Sequence, residues 1–400
     1  MAVTAGALLL RYADVGVATY ASLRVVGRPD STVTWVMDES AMGAVRDLLA
    51  DALPDPRPQE SIADAVLRAV TAGSFASRTA EQHLAQVLGE VLMPEPAWRL
   101  IAERAADPDA VLFAAPTARL AQVPWSILAM PADGRRLIDL VDILLAAPPN
   151  IANAPRRPAP WRPERAPLLV LDPRVPGQRP DSALGSVLGR PDPETAVTRH
   201  FAAVMNRRDV LPAASSAVEL FRRVEADRGW LAALLRREPS RLFYVGHATA
   251  ADGDIGHADR AAIHLAEADP LSAAELMAAA LPVPARVALL ACASGGDYRF
   301  DEATGLVAAL ILNGAVLVTA TLWSLPTTAG FRRFCGPALE SADPMGEVVV
   351  AVDTAHDAPE AGRAVNVWQR AQLDRWRAGD GTASPLYWAA LVTFAVDGAR

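Results

Sequence analysis

The sequence contains no lysine, so all 38 of its Lys and Arg positions are arginine. That absence excludes a phosphate-binding Gly-rich loop ending on Lys, which needs the ammonium group at the phosphates. Cysteine is almost as scarce: only Cys292 and Cys335 occur. Two thiols imply no disulfide framework, and a reducing cytoplasm is the expected setting. Positive charge is in deficit, with a formal net charge of −8. A general nucleic-acid binder would carry a basic face, so direct nucleic-acid partners are not expected. The apolar start, residues 1–10, lacks a basic leader and runs into Arg11, Tyr12 and Asp14, which does not read as a signal peptide. No repeat of about 30–45 residues is visible, so no repeat array is expected within the chain.

Charge also vanishes locally. Nothing between Glu302 and Arg332 is charged, long enough to raise the question of a membrane span. The Asn313-Gly314 turn signal, the threonines and Pro326 divide the stretch. It reads as a buried helix over 305–312 and a buried strand over 315–322, and no membrane partner is expected.

What is present is apolar: 52% of the 400 residues are hydrophobic and 21% charged. A chain of this size and composition builds one large α/β domain or two smaller ones. Strand-like or alternating patterns occupy 8–26, 33–37 and 111–115, with helical spacing over 42–53, 61–72 and 80–92. Between 147 and 167 the composition shifts to Pro and Arg, which prevents regular hydrogen bonding and marks a boundary. The division expected is an N-terminal accessory α+β region over 1–150 and a catalytic half over 151–400. A second loop-like tract follows over 174–194; both tracts read as solvated linkers, with self-processing an alternative use. A strand at 168–171 is halted by Asp172-Pro173. Beyond it, helices at 196–205, 217–236 and 272–281 alternate with strands, and 387–394 reads as the last strand. Such alternation implies right-handed crossovers and a mainly parallel sheet with helices on both faces.

Two of these strands end on reactive side chains. His247 follows Leu242-Phe243-Tyr244-Val245-Gly246, and Cys292 follows Val287-Ala288-Leu289-Leu290-Ala291. Chemistry collects at the carboxyl ends of parallel strands. The interval between the two holds one loop, one helix and one strand, so the strands can be neighbours. A thiol and an imidazole on adjacent strand ends make a nucleophile and its base. Either residue alone reads more simply as a buried core side chain; their pairing is what points to catalysis. Cys335, in the helical stretch around Phe331 and Phe334, reads as core. Ser294, in Cys292-Ala293-Ser294-Gly295-Gly296, is a near miss to a nucleophile elbow, but that arrangement needs a late His and only His356 follows. Asp252, Asp254, His257 and His264 match no metal-ligand spacing, so no metal and no cofactor are expected.

These stretches resemble the CHAT domain, the caspase-like peptidase domain related to separase and gingipain. The matching residues are Gly246-His247-Ala248, Ala291-Cys292-Ala293-Ser294-Gly295, Glu302-Ala303-Thr304-Gly305-Leu306, Asn313-Gly314-Ala315 and Leu322-Trp323. Val123-Pro124-Trp125 with Leu128, and Pro385-Leu386-Tyr387-Trp388-Ala389, match as well. The resemblance covers about 80–400 and implies a caspase-like fold and a cysteine endopeptidase. It makes His247 the general base and Cys292 the nucleophile, with the backbone N–H groups of Cys292 and Ala248 as oxyanion hole. Two departures stand out. Ala248 replaces the usual Gly, which implies a hole that rearranges before it works. Relatives that cleave after Arg place Asp just past Leu-Trp, whereas here Ser324 follows Trp323. The substrate pocket is therefore expected among Trp323, Ser324, Asp297, Asp301 and Glu302, although the acidic three read more simply as solvated loop charges. The resemblance further implies a protein substrate and activation in trans by a partner protein or ligand-sensing subunit, in a bacterial defence or conflict system. The competing readings are an inactive CHAT scaffold and a serine hydrolase using Ser294.

Overall fold

The computed structural model describes residues 6–179, 182, 184–249, 258–291 and 302–400. An antiparallel meander opens the chain: β1 (Leu8–Asp14), β2 (Ala18–Val25) and β3 (Arg28–Asp38). In β2 buried residues alternate with more exposed ones, as expected of a strand with one face on the core. Parallel strands β4 (Val111–Ala115) and β5 (Asp142–Ala146) continue the sheet from β1. The second set comprises β6 (Leu168–Leu171) and β7 (Leu242–Gly246). A small separate sheet is formed by β8 (Ala248–Thr249), β9 (Ala262–Ile263) and β10 (Leu271–Ser272). The last strands are β11 (Arg286–Ala291), β12 (Leu317–Thr321) and β13 (Leu391–Ala395).

Ten strands form one sheet in the order β3-β2-β1-β4-β5-β13-β12-β11-β7-β6. Pairing is parallel from β1 to β13 and again from β12 to β6, and antiparallel where β12 meets β13. The C-terminal strand thus sits mid-sheet, between β12 and a strand from the first 150 residues. Strands β5, β6, β7, β11, β12 and β13 are buried throughout. Their continuous apolar runs follow from helices covering the sheet: the helix Pro344–Asp357 packs on β11, and Ala361–Arg377 packs on β5 and β13. The charge-free stretch folds as read, into the helix Glu302–Leu312 followed by β12. None of the described helices is long and apolar enough to cross a membrane.

Three local readings are corrected. The stretch 217–236 is not one helix: a 3-10 turn, Ala217–Leu220, is followed by irregular chain and a helix only at Arg228–Leu235. The break has a cause, since Arg222 takes φ +55 and Asp227 caps the later helix by accepting from the Trp230 N–H. The final strand begins later than 387, because Ser384 caps a short helix, Pro385–Trp388, with Pro in its first turn. Cys335 lies at the edge of the core and not within it; it caps the end of the helix Thr328–Phe334 and packs, only partly buried, against the core.

Candidate active site

Strand β7 must end on glycine. A Cβ at Gly246 would lie 2.5 Å from the Tyr244 hydroxyl oxygen and 2.7 Å from its Cζ. The buried Tyr244 hydroxyl stands between the carbonyl oxygens of His247, at 2.7 Å, and His264, at 2.8 Å, and its single proton is shared between them. The His264 N–H donates to the His247 carbonyl at 2.9 Å. Small side chain, phenol and neighbouring strand together fix the backbone from which His247 projects.

His247 is buried, and its Nε2 lies 2.9 Å from the carbonyl oxygen of Gly185. A carbonyl can only accept, so Nε2 carries the proton and Nδ1 is the basic nitrogen of the ring. The same carbonyl accepts from Arg222 Nη1 at 3.1 Å. Arg222 Nη1 also donates to Asp172 Oδ1 at 3.2 Å, and Asp172 accepts from the Ser186 hydroxyl at 2.6 Å and the Val187 N–H at 3.1 Å. Burial pushes the Asp172 carboxyl up, against Ser186, Arg222, Val187 and His247, which draw it down. His264, whose Nε2 is 3.3 Å from Thr249 Oγ1, is pushed down to about 4 by burial and then by neighbouring His247. It is neutral at pH 7.

Strands β7 and β11 are neighbours, with Ala291 opposite Gly246 in parallel register. On the other side of β11, the Thr321 hydroxyl of β12 donates to the Ala291 carbonyl at 3.4 Å. The end of β11 at Ala291 is therefore bracketed by the strand that delivers His247 and the strand that delivers Leu322 and Trp323. Cys292 itself, Ser294, Asp297 and Asp301 lie outside the described residues, as do Asp252, Asp254 and His257. Glu302 opens the helix Glu302–Leu312. Ala248 is buried and faces Ile263 across β8 and β9. Because the flanking bond runs from His264 N–H to His247 O, this is a non-hydrogen-bonded pair, and the Ala248 N–H is turned away from β9.

Trp323 is fully buried: its Nε1 donates to the Leu386 carbonyl at 2.9 Å, and its ring stacks on Phe75 at 5.8 Å between centroids. Ser324 is half-buried and lies against the carboxylate of Asp55. Gln122 Nε2 donates to Asp55 Oδ2 at 2.9 Å, and Oδ1 is buried without a hydrogen bond. Burial raises the Asp55 carboxyl to about 6, against the Gln122 hydrogen bond and the nearby polar groups of Ser324, which draw it down. An acid raised above its ordinary value stabilises the fold only while protonated, so this contribution fades as pH rises through 6. Asp55→Asn is expected to stabilise the chain by about 2 kcal/mol at pH 7.5 and by about half as much at pH 5. Thermal unfolding at the two pH values checks it; an equal gain at both would show that ionisation of Asp55 is not the cause.

Several of these residues carry no sequence signal. Asp172 reads only as a strand terminator, Arg222 falls inside an apparent helix, and Gly185 contributes a backbone carbonyl, which any residue has. Asp55 and Phe75 reach the Trp323 segment from far upstream. Tyr244 alone was legible in principle, as a polar-tipped residue inside a buried strand two positions from a glycine.

Residues 82–396 match the CHAT domain family. The chain belongs to the CHAT family. It is also similar to a chain of the Saccharomyces cerevisiae separase–securin complex solved at 3.0 Å, with 12% identity, a TM-score of 0.46, and coverage of 98% of this chain and 30% of that one. A second structure of that complex, at 2.6 Å, matches with 14% identity, a TM-score of 0.39, and coverage of 90% and 23%. This chain therefore spans under a third of the length of those solved chains. No curated protein matches it. The CHAT match and the mainly parallel, helix-flanked sheet make the fold caspase-like, in a family of caspase-like peptidases. Asp55 and Phe75 come from outside the matched CHAT segment.

Proposed function

We propose that this CHAT protein is a cysteine endopeptidase in which His247 is the general base and Cys292 the nucleophile. The observation that carries the reading is the Nε2 contact to Gly185: it commits one ring nitrogen to a carbonyl and leaves proton transfer to Nδ1. In the first step Nδ1 takes the thiol proton while the sulfur attacks the scissile carbonyl carbon, giving a tetrahedral oxyanion. Collapse expels the amine, which receives that proton from the imidazolium, and water then hydrolyses the thioester. The Ala248 N–H, turned away from β9, and the Cys292 N–H serve as oxyanion donors. No cofactor or metal takes part. Ser324 forms one wall of the substrate pocket, with the buried Trp323 supporting it from behind and Asp297, Asp301 and Glu302 as further contributors. Residues 1–150 act as an accessory half bracing that wall through Phe75 and Asp55, and residues 151–400 as the catalytic half. The substrate is a protein, and activation comes in trans from a partner or ligand-sensing subunit, in the cytoplasm of a bacterium under attack.

Alkylation of Cys292 tests the chemistry. In a Cys335→Ser background at pH 7, His247→Ala is expected to slow iodoacetamide labelling of Cys292 by about 10- to 30-fold, the gain a dyad gives over an ordinary thiol. A Cys292 equally inert with and without His247 indicates an inactive scaffold instead. Labelling of Ser294 by a fluorophosphonate would move the chemistry to serine.

A further inference from the structure

We propose that Asp172 and Arg222 are positioning residues for His247, a charge-matched pair that acts through the Gly185 carbonyl and keeps the electrostatic environment of the imidazole neutral. The proposal rests on the peptidase reading of the same site.

Its first support is the connectivity. The Gly185 carbonyl has two acceptor sites, one facing His247 Nε2 at 2.9 Å and the other Arg222 Nη1 at 3.1 Å. Arg222 Nη1 is in turn 3.2 Å from Asp172 Oδ1, and the carboxylate also holds the two residues after Gly185, through the Ser186 hydroxyl and the Val187 N–H. The oxygen that orients the imidazole is thus fixed by a contact to itself and by contacts to the two residues that follow it.

The second support is backbone strain. Asp172 has φ +52 and Arg222 φ +55, a left-handed conformation uncommon outside glycine and worth holding only where the surroundings impose it. Both are tied to strand ends: the Asp172 N–H donates to the Val245 carbonyl of β7 at 2.6 Å, and the Arg222 N–H donates to the Leu171 carbonyl of β6 at 3.1 Å. Two strained residues therefore meet at the end of β6 as a partly buried ion pair, one strand away from His247.

The third is charge. Asp172 is buried and senses His247 electrostatically. His264, which also lies close to His247, is neutral above about pH 4. Asp172 and Arg222 together place one anion and one cation beside the imidazolium formed during catalysis, and the two charges offset each other. Removing either member leaves the other unmatched, and the two removals act in opposite directions.

The pH dependence of Cys292 alkylation reads this directly. Asp172→Asn leaves the Arg222 cation unmatched, disfavours the imidazolium, and is expected to move the labelling midpoint up by about 0.5–1 pH unit. Arg222→Gln leaves the Asp172 anion unmatched and moves the midpoint down by a similar amount. The double variant returns the midpoint close to wild type but labels more slowly, because the Gly185 carbonyl has lost its anchor. Arg222→Lys, which keeps charge and donor, keeps the wild-type midpoint. Should Asp172→Asn not fold, as judged by circular dichroism, Ser186→Ala withdraws one hydrogen bond from the carboxylate and is expected to shift the midpoint up by less. Shifts in the same direction, or none, overturn the inference. Wild-type labelling that does not depend on His247 overturns the peptidase reading and this inference together, whereas His247-dependent labelling with unmoved midpoints overturns this inference alone.

Discussion

Asp353→Ala is expected to lower the unfolding free energy by about 3–5 kcal/mol, the usual result of stripping one partner from a buried ion pair. Arg241, the residue before β7, is 1% exposed, and its Nη2 and Nε reach Asp353 Oδ1 at 2.8 and 3.2 Å. The other carboxylate oxygen meets His200 Nε2 at 2.8 Å. Burial alone would raise the Asp353 carboxyl, but Arg241 and His200 outweigh it and hold it below the ordinary value. The stabilisation is therefore full at neutral pH and is lost as pH falls through the lowered pKa. Without the carboxylate, Arg241 keeps, among the described residues, the ion pair with Asp357, which is partly exposed. Since whole domains are stable by about 5–15 kcal/mol, the variant would sit near its threshold. Urea unfolding at pH 7 measures this, and Arg241→Met added to Asp353→Ala is expected to recover part of the loss. A change below about 1 kcal/mol would mean that the pair contributes no more than an exposed one.

Gly246→Ala is expected to damage the site far more than the fold. The new Cβ would press on the Tyr244 hydroxyl at 2.5 Å and its ring at 2.7 Å. The phenol cannot withdraw without releasing the His247 and His264 carbonyls. Overpacking of this kind costs about 1–3 kcal/mol, whereas a displacement of about 1 Å at a catalytic group costs about 100-fold in rate. Urea unfolding and the rate of Cys292 labelling separate the two effects. Labelling within about twofold of wild type would show that the backbone at His247 absorbs the intrusion without moving.

Much of the fold was legible because buried parallel strands advertise themselves. The runs ending at Gly246 and Ala291 are apolar at every position, and only strands covered on both faces need that composition. Their adjacency followed from the length of chain between them. Misreadings came where a local pattern competes with something distant. Residues 217–236 have helical composition, yet Arg222 leaves the helix to meet Asp172, a gain no local window contains. Pro385 and the Ser384 cap start a helical turn inside an apolar segment that otherwise reads as strand.

The residue types of the proposed dyad, their place after two neighbouring strands and membership of the CHAT family were fixed by the chain's own pattern, because strand burial and motif spacing are short-range properties. Only the folded chain decided which nitrogen of His247 is basic, since that depends on a carbonyl 62 residues away. The Asp172–Arg222 pair and the approach of Asp55 to Ser324 were decided in the same way. Such contacts form between loops whose composition is unremarkable, and their energy comes from burial and charge matching that exist only once the sheet has brought the loops together.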